Sequence, residues 1–335
     1  MQGNLIVGGK IKKNKKMKNK NILITGGLGF LGSYTIEKYK KHGNKITIID
    51  NLSTNTISPD DPMCDGCEVI IQDILTYKWD INTKFDIIIH LASPVGPAGI
   101  LQHSGKMARY ILDDVYWALE GAQLYNCPLI FVSTSEIYGY RDKAVMLQEH
   151  EDKLLVGDFK VRNEYSMAKL LSEIVISNTA KVSDLKYQII RPFNISGARQ
   201  LPDAGFVLPR FVTQALAGED ITVFGDGEQV RAFTYVGDII DGIYLTSIHD
   251  KNDIWNVGNP LNKVTINYLA KRVKELTNST SKISHIDPKT IYGPLYAEAW
   301  DKIPDPKKIQ TKLNWKVTKT VDEIILNVIN FWKNK

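Results

Sequence analysis

Four residues in the middle of the chain have the side chains that oxidation of an alcohol requires. Tyr165 and Lys169 are the ends of Tyr165-Ser166-Met167-Ala168-Lys169, and on a helix positions i and i+4 share a face. A free tyrosine has a pKa of about 10, too high for a base at neutral pH. A lysine ammonium beside it, helped by the positive nicotinamide of a bound cofactor, favours the phenolate. Tyr165 can then take the proton of a substrate hydroxyl while hydride leaves for the ring. Upstream, Ser133-Thr134-Ser135-Glu136 follows the apolar run Leu129-Ile130-Phe131-Val132. Hydroxyls and a carboxylate at the end of such a strand face the same site. Thr134 can hydrogen-bond the substrate hydroxyl. Glu136 has two readings, a second base or a cap for the next turn.

These groups need a scaffold that brings a nicotinamide to them, and Asn21 to Ser33, NILITGGLGFLGS, supplies its signature. The β-prone run Ile22–Thr25 passes through glycines 26, 27, 29 and 32 into a helix-compatible stretch. A strand, a glycine turn and a helix N-terminus form a phosphate cradle, with N–H groups and the helix dipole aimed at the anion. Gly26 permits the turn, Gly29 allows close approach of a pyrophosphate, and Gly32 lets the helix pack on the strand. A second strand ends in Asp50. An acid there accepts from the adenosine ribose hydroxyls, which selects NAD over NADP.

Strand-like runs at Ile22–Thr25, Ile46–Asp50, Val69–Asp73, Ile87–Leu91, Leu129–Ser133 and Tyr187–Arg191 alternate with helical stretches, including Ala108–Tyr125 and Glu164–Ala180. That alternation predicts an α/β fold with a doubly wound parallel sheet of the Rossmann type. After Pro192 the alternation stops and glycine and proline become frequent up to Gly227. Further elements are expected at Thr222–Phe224, Tyr235–Ile248, Trp255–Val257, Ile266–Thr277 and Val321–Trp332. The expected division is a leader at 1–20, a dinucleotide-binding domain over 21–191 with 235–259, and a discontinuous substrate domain over 192–234 with 260–335.

The 335 residues carry a formal charge of +5 that includes seven lysines and no acid within residues 1–20. The remainder is slightly acidic, so neither a nucleic-acid surface nor a membrane span is expected, and the basic leader reads as a solvated disordered segment. It lacks an apolar stretch long enough for a signal peptide. Three cysteines suit a reducing, cytoplasmic setting. Cys64-Asp65-Gly66-Cys67 has metal-site spacing but no second pair, so no metal is expected.

The chain resembles the extended short-chain dehydrogenase/reductases that act as nucleotide-sugar epimerases, dehydratases and decarboxylases. The resemblance runs from about Lys20 to the C-terminus. It rests on TGGLGFLG (25–32), Asp50-Asn51, Gln72-Asp73, HLAS (90–93), STSEIYG (133–139), YSMAK (165–169), IIRPFNISGARQ (189–200), VLPRFVTQAL (207–216) and ITVFGDGEQVRAFTYVGDIIDGI (221–243). It implies NAD against Gly26, Gly29, Phe30, Leu31, Gly32, Asp50, Asn51, Asp73, Ile74, Leu91 and Ala92, with Lys169 on the nicotinamide ribose and Tyr165 beside it. It implies a nucleotide-diphosphate sugar, a UDP-sugar by preference. Asn194 and Arg231, with Arg199, would meet the diphosphate; Val223 and Phe224 would meet the base; Ser135 and Lys302 would meet the sugar. A homodimer through a four-helix bundle is also implied.

All such enzymes begin by oxidising the sugar at C4. Thr134-Ser135-Glu136 and HLASP (90–94) are most similar to the UDP-glucuronate decarboxylases, with 4,6-dehydration and 4-epimerisation as the alternatives. Lys302 stands where those decarboxylases have arginine, and lysine lacks the bidentate fork for a carboxylate. The rival from another class, a dinucleotide-sensing regulator without catalysis, typically lacks the Tyr-Lys pair.

Overall fold

The computed structural model describes residues 17–141, 145–154, 160–299 and 301–335. Seven apolar runs become strands of one sheet: β1 (Asn21–Thr25), β2 (Lys45–Asp50), β3 (Glu68–Ile71), β4 (Ile87–His90), β5 (Leu129–Val132), β6 (Tyr187–Pro192) and β7 (Asp253–Val257). Their spatial order is β7-β6-β5-β4-β1-β2-β3, and every neighbouring pair is parallel. All residues of β4 and β5 are buried, as continuous apolar strands are when helices cover both faces. The six strands read from the sequence are present within two residues of the expected bounds, and the run at Trp255–Val257 adds the seventh beside β6.

The longer helices are α1 (Phe30–Lys41), α2 (Met107–Leu124), α3 (Val161–Lys181), α4 (Val207–Ala217), α5 (Val236–Ser247), α6 (Ile266–Thr277) and α7 (Val321–Lys333). Helices α1 and α5 pack on one face of the sheet around Ile36, Tyr39, Ile239 and Ile243. Helices α2 and α3 cover the other around Val115, Ala118 and Ile176. The strand order reverses between β1 and β4, which opens a crevice at the strand C-termini where such sheets bind ligands.

Beyond the sheet, α4, α6 and α7 enclose an apolar cluster with the parallel pair Ile221–Phe224 and Ile283–Ile286. Helix α4 lies in the stretch read as glycine- and proline-rich. Leu208, Phe211, Val212 and Ala215 follow helical spacing and are all buried, so local periodicity prevails there over composition. The leader also needs correction at its end. Residues 1–16 lie outside the described residues, but 17–20 are part of the fold. Met17 packs on the core and Lys20 pairs with Asp86 at 2.9 Å. Cys64 is buried and Cys67 half-buried; Cys64 packs in the core beneath α1, and burial raises its thiol pKa to about 11. No helix among the described residues is long and apolar enough to cross a membrane.

Candidate active site

The glycine turn lies at the reversal point. Gly26 has φ of +66°, and a Cβ there would stand 2.9 Å from the Ala92 amide nitrogen after β4. Only glycine permits both the backbone and the approach. At Gly32 a Cβ would fall 2.2 Å from the Gly26 carbonyl, so α1 can start close to β1 only without a side chain. Gly29 is the N-cap of α1. Asp50 is buried at the end of β2, where Oδ2 accepts from the Leu28 amide at 2.9 Å and Oδ1 from the Leu52 amide at 2.8 Å. Its carboxylate therefore also holds the shape of the glycine loop, a task the sequence reading did not give it. Burial raises its pKa, against those two amides.

The other cofactor-side residues line up along the same edge. Thr25 Oγ1 accepts from the amides of Leu91 and Ala92, both at 3.2 Å, which ties β4's exit to β1. Asp73 caps a short turn containing Ile74 through the Leu75 amide at 2.9 Å; Ile74 itself is buried below. Phe30 and Leu31 open α1 and are half-buried. Asn51 is exposed, its side chain accepting from the Ser53 amide at 3.1 Å.

Helix α3 presents Tyr165 and Lys169 toward the C-terminal end of β5, both buried. Lys169 Nζ donates to the Val132 carbonyl at 3.1 Å and lies over the Phe131 ring. Burial lowers its pKa to about 8, against the pull of Asp114 and Glu173. The Tyr165 phenol is pushed up by burial; its hydrogen bond with Thr134 and the charge of Arg162 pull it down, and Glu136 pushes it up. The Lys169 ammonium is turned to a strand carbonyl, and Thr134 and Arg162 are what favour the phenolate.

Glu136 lies in the turn Ser135–Tyr138, whose first residue Ser135 is buried and whose N-cap is Thr134, accepting from the Glu136 amide at 3.1 Å. The carboxylate is held by two cations. Lys302 Nζ donates to Oε1 at 2.6 Å, and Arg162 NH1 meets Oε2 at 3.1 Å. Burial would raise its pKa, but Lys302 and Arg162 outweigh it and bring the value to about 2. Held this way the carboxylate is an anion paired with two cations, and work as a second base would first need one of those bonds to open. The lysine's own pKa is lowered by burial in spite of Glu136. Sequence reasoning missed Arg162. The signal was its place one helical turn before Tyr165.

A cavity runs from Glu136 and Arg162 past Asn194 and Arg231 to Arg210, Gln229 and Phe224. Arg231 NH2 donates to Glu298 Oε1 at 2.8 Å and NH1 to Asp301 Oδ1 at 3.2 Å. Phe224 is faced by the Arg210 guanidinium at 3.7 Å and flanked edge-on by Tyr292 and Tyr296. Four expected substrate residues do not line this cavity. Ser135 is buried in the turn beneath Glu136. Val223 alternates inward and is fully buried in the apolar cluster. Arg199 turns to α1, meeting Glu37 at 2.9 Å and stacking on Tyr34, because its backbone takes φ of +68°. Lys302 lies behind Glu136.

Residues 22–258 match the model of the NAD dependent epimerase/dehydratase family. A UDP-N-acetyl-alpha-D-glucosaminuronate decarboxylase of Bacillus cytotoxicus is 33% identical over 299 residues, 88% of this chain and 90% of that protein. UDP-glucuronic acid decarboxylase 1 of Xenopus tropicalis is 29% identical over 322 residues, 94% of this chain and 73% of that protein. Among solved structures, the UDP-glucose 4-epimerase of Thermotoga maritima with UDP-glucose superposes with a TM-score of 0.82 at 26% identity, covering 94% of this chain and 99% of that one. The chain belongs to the NAD dependent epimerase/dehydratase family and is an NAD-dependent enzyme.

Proposed function

We propose that the enzyme oxidises the sugar of a nucleotide-diphosphate sugar, a UDP-uronate by preference, at C4 and then releases its C6 carboxylate as CO2. The observation that carries this reading is the contact of the Tyr165 and Thr134 hydroxyls at the end of β5, beside a wall where two cations meet one carboxylate. The decarboxylases among its relatives support the choice of uronate over a neutral sugar.

The chain's own groups divide the work. Gly26, Gly29, Phe30, Leu31 and Gly32 would cradle the diphosphate of NAD, Asp50 and Asn51 its adenosine ribose, and Asp73 and Ile74 its adenine. Leu91, Ala92 and Lys169 would flank its nicotinamide half. The turn fits such a cradle: a Cβ at Gly26 would strike the Ala92 backbone and one at Gly32 the Gly26 and Gly27 carbonyls, so only glycine keeps the loop this tight. When bound, NAD would supply the acceptor for the hydride leaving the sugar's C4 and the donor for its return. Thr134 holds the C4 hydroxyl and Tyr165 takes its proton. A C4 ketone makes the C6 carboxylate part of a β-keto acid. The C5–C6 bond then breaks, CO2 leaves, the electron pair rests on the C4 oxygen as an enolate, and C5 takes up a proton. Asn194 and Arg231 would meet the diphosphate and Phe224 the base.

In this reading residues 21–191 with 235–259 hold the cofactor, and 192–234 with 260–335 the substrate. A homodimer forms through the outer faces of α2 and α3, where Tyr116, Met167, Leu171 and Ile174 are exposed. The three unpaired cysteines suit a cytoplasmic protein.

Incubation with UDP-glucuronate, UDP-N-acetylglucosaminuronate, UDP-glucose and GDP-mannose, with products weighed by mass spectrometry, tests the reading. Loss of one CO2 from a uronate is expected, and Tyr165→Phe should reduce turnover at least about a hundredfold. Loss of water, or an unchanged mass with inverted C4, replaces the proposal with dehydration or epimerisation.

A further inference from the structure

The cluster at Glu136 is lopsided in exposure. Lys302 is 2 % exposed and lies behind the carboxylate, whereas Glu136 and Arg162 both face the cavity. The lysine's bond is the short one, 2.6 Å. The arginine's is single and longer, 3.1 Å, beyond the usual length of a strong charge-assisted contact. Arg162 Nε is fixed separately by the Ala297 carbonyl at 3.1 Å, so the guanidinium keeps its place whether or not it holds Glu136.

We propose that Arg162 recognises the C6 carboxylate of a uronate by exchanging its bond to Glu136 for one to the substrate, while Lys302 keeps Glu136 in the wall. This rests on the uronate reading above. The helix supplies the spacing. Arg162 and Tyr165 are three residues apart on α3, about 4.5 Å along the axis, and share a face. A pyranose carries its C4 hydroxyl and its C5 carboxylate on neighbouring ring carbons, so the two side chains can take them together. The exchange is carboxylate for carboxylate at one guanidinium, which leaves the cation paired throughout. A sugar with a neutral C6 hydroxymethyl offers no charge and leaves Glu136 where it is. Arg162 offers the fork geometry that Lys302 lacks. Of the nearby acids, Asp301 faces Arg231, while Glu298 pairs with Arg231 and its charge also reaches Arg162 across the cavity.

The test is equilibrium binding of UDP-glucuronate, UDP-glucose and UDP, by calorimetry, to enzyme loaded with NADH, which cannot take up the C4 hydride and so does not turn the uronate over. Arg162→Gln should weaken UDP-glucuronate about 10- to 100-fold and leave UDP-glucose and UDP within about threefold. Glu136→Gln removes the competing carboxylate and should tighten UDP-glucuronate about tenfold. The opposite signs separate recognition from a merely structural role, which would weaken both. If Arg162→Gln fails to fold, Arg162→Lys carries the same test and should show a selective loss for the uronate. Equal losses for all three ligands, or weaker or unchanged uronate binding by Glu136→Gln, overturn the proposal. Product masses from the wild type are read separately. Absence of CO2 release sinks the decarboxylase reading, while the binding ratios still judge Arg162.

Discussion

Two buried ion clusters lie on either side of the Ser133–Gly139 turn, and they are built on different plans. In one, Arg191 on β6 meets Glu173 on α3 through two arms, Nε to Oε1 at 3.0 Å and NH2 to Oε2 at 2.6 Å. Its remaining arm donates to the Tyr138 hydroxyl and the Glu149 carbonyl, both at 2.8 Å. Tyr138 in turn donates to Asn256 on β7 at 2.7 Å. The carboxylate is gripped by two guanidinium arms, Lys153 lies close by over the Tyr138 ring, and both side chains of the pair are at most 4% exposed. In the other, Glu136 answers two cations and one of them faces the cavity. A balanced pair fastens α3, the turn and the sheet into one frame. A pair with one partner open to the cavity leaves a guanidinium within reach of something that is not protein. The lesson is that burial alone does not mark a functional ion pair; a pair whose members line a cavity does.

Breaking the balanced pair should therefore cost the most. Glu173→Gln leaves the Arg191 charge buried and uncompensated, a loss of about 3–5 kcal/mol. The expected result is a fall in the midpoint of chemical denaturation with little change in slope, and reduced soluble yield. A midpoint unchanged from wild type would mean that the frame does not depend on this pair, and the contrast between the clusters would fail.

The difference between the clusters also explains what was legible in the sequence. Runs such as Ile87–His90 are apolar throughout and can only be buried strands, and the glycines at 26 and 32 are required by local sterics. Tyr165 and Lys169 are four apart on one helix, so their shared face follows from spacing. Phe224 was placed beside the cavity, but its neighbour Val223 was misread because strand alternation turns it into the apolar cluster. Arg199 looked like a phosphate ligand until a left-handed backbone turned it to α1. Glu136 and Lys302 are 166 residues apart, and nothing local shows that they meet. Their pairing holds Glu136 as an anion. Arg162 was within reach of spacing alone, three residues before Tyr165, but a surface arginine and a buried one look the same in a sequence.

Removing Lys302 should have an intermediate effect. Lys302→Met takes away the shorter bond to Glu136 but leaves Arg162 as a counter-charge, so the loss should be about 1–3 kcal/mol, less than for Glu173→Gln. Without the lysine, Glu136 loses the larger of the two attractions that lower its pKa, and Arg162 becomes its sole cation in the cluster. Uronate binding should then weaken, because the guanidinium is harder to take from Glu136. Denaturation and calorimetry on the same variant check both. A stability loss equal to that of Glu173→Gln would erase the distinction between the clusters.

The smallest effect is in the acid limb of stability. The carboxyl of Glu136 is lowered from 4.5 to about 2 in the folded protein. Between those values the unfolded chain binds a proton that the folded one does not, so stability rises with pH there. The contribution is complete above about pH 4.5 and is lost as the pH falls toward 2. One such group changes the slope by at most about 1.4 kcal/mol per pH unit. Glu136→Gln removes the group from both states, so its stability should decline less steeply with acid over that window. The Gln variant begins from a lower stability because Arg162 and Lys302 lose their anion, so the slope is the quantity to compare. Denaturant midpoints taken at intervals from pH 5 to the lowest pH at which the protein stays soluble measure it. Parallel slopes for the two proteins would mean that Glu136 is not held as an anion by its two cations, and with that the unequal pairing on which the contrast depends would be gone.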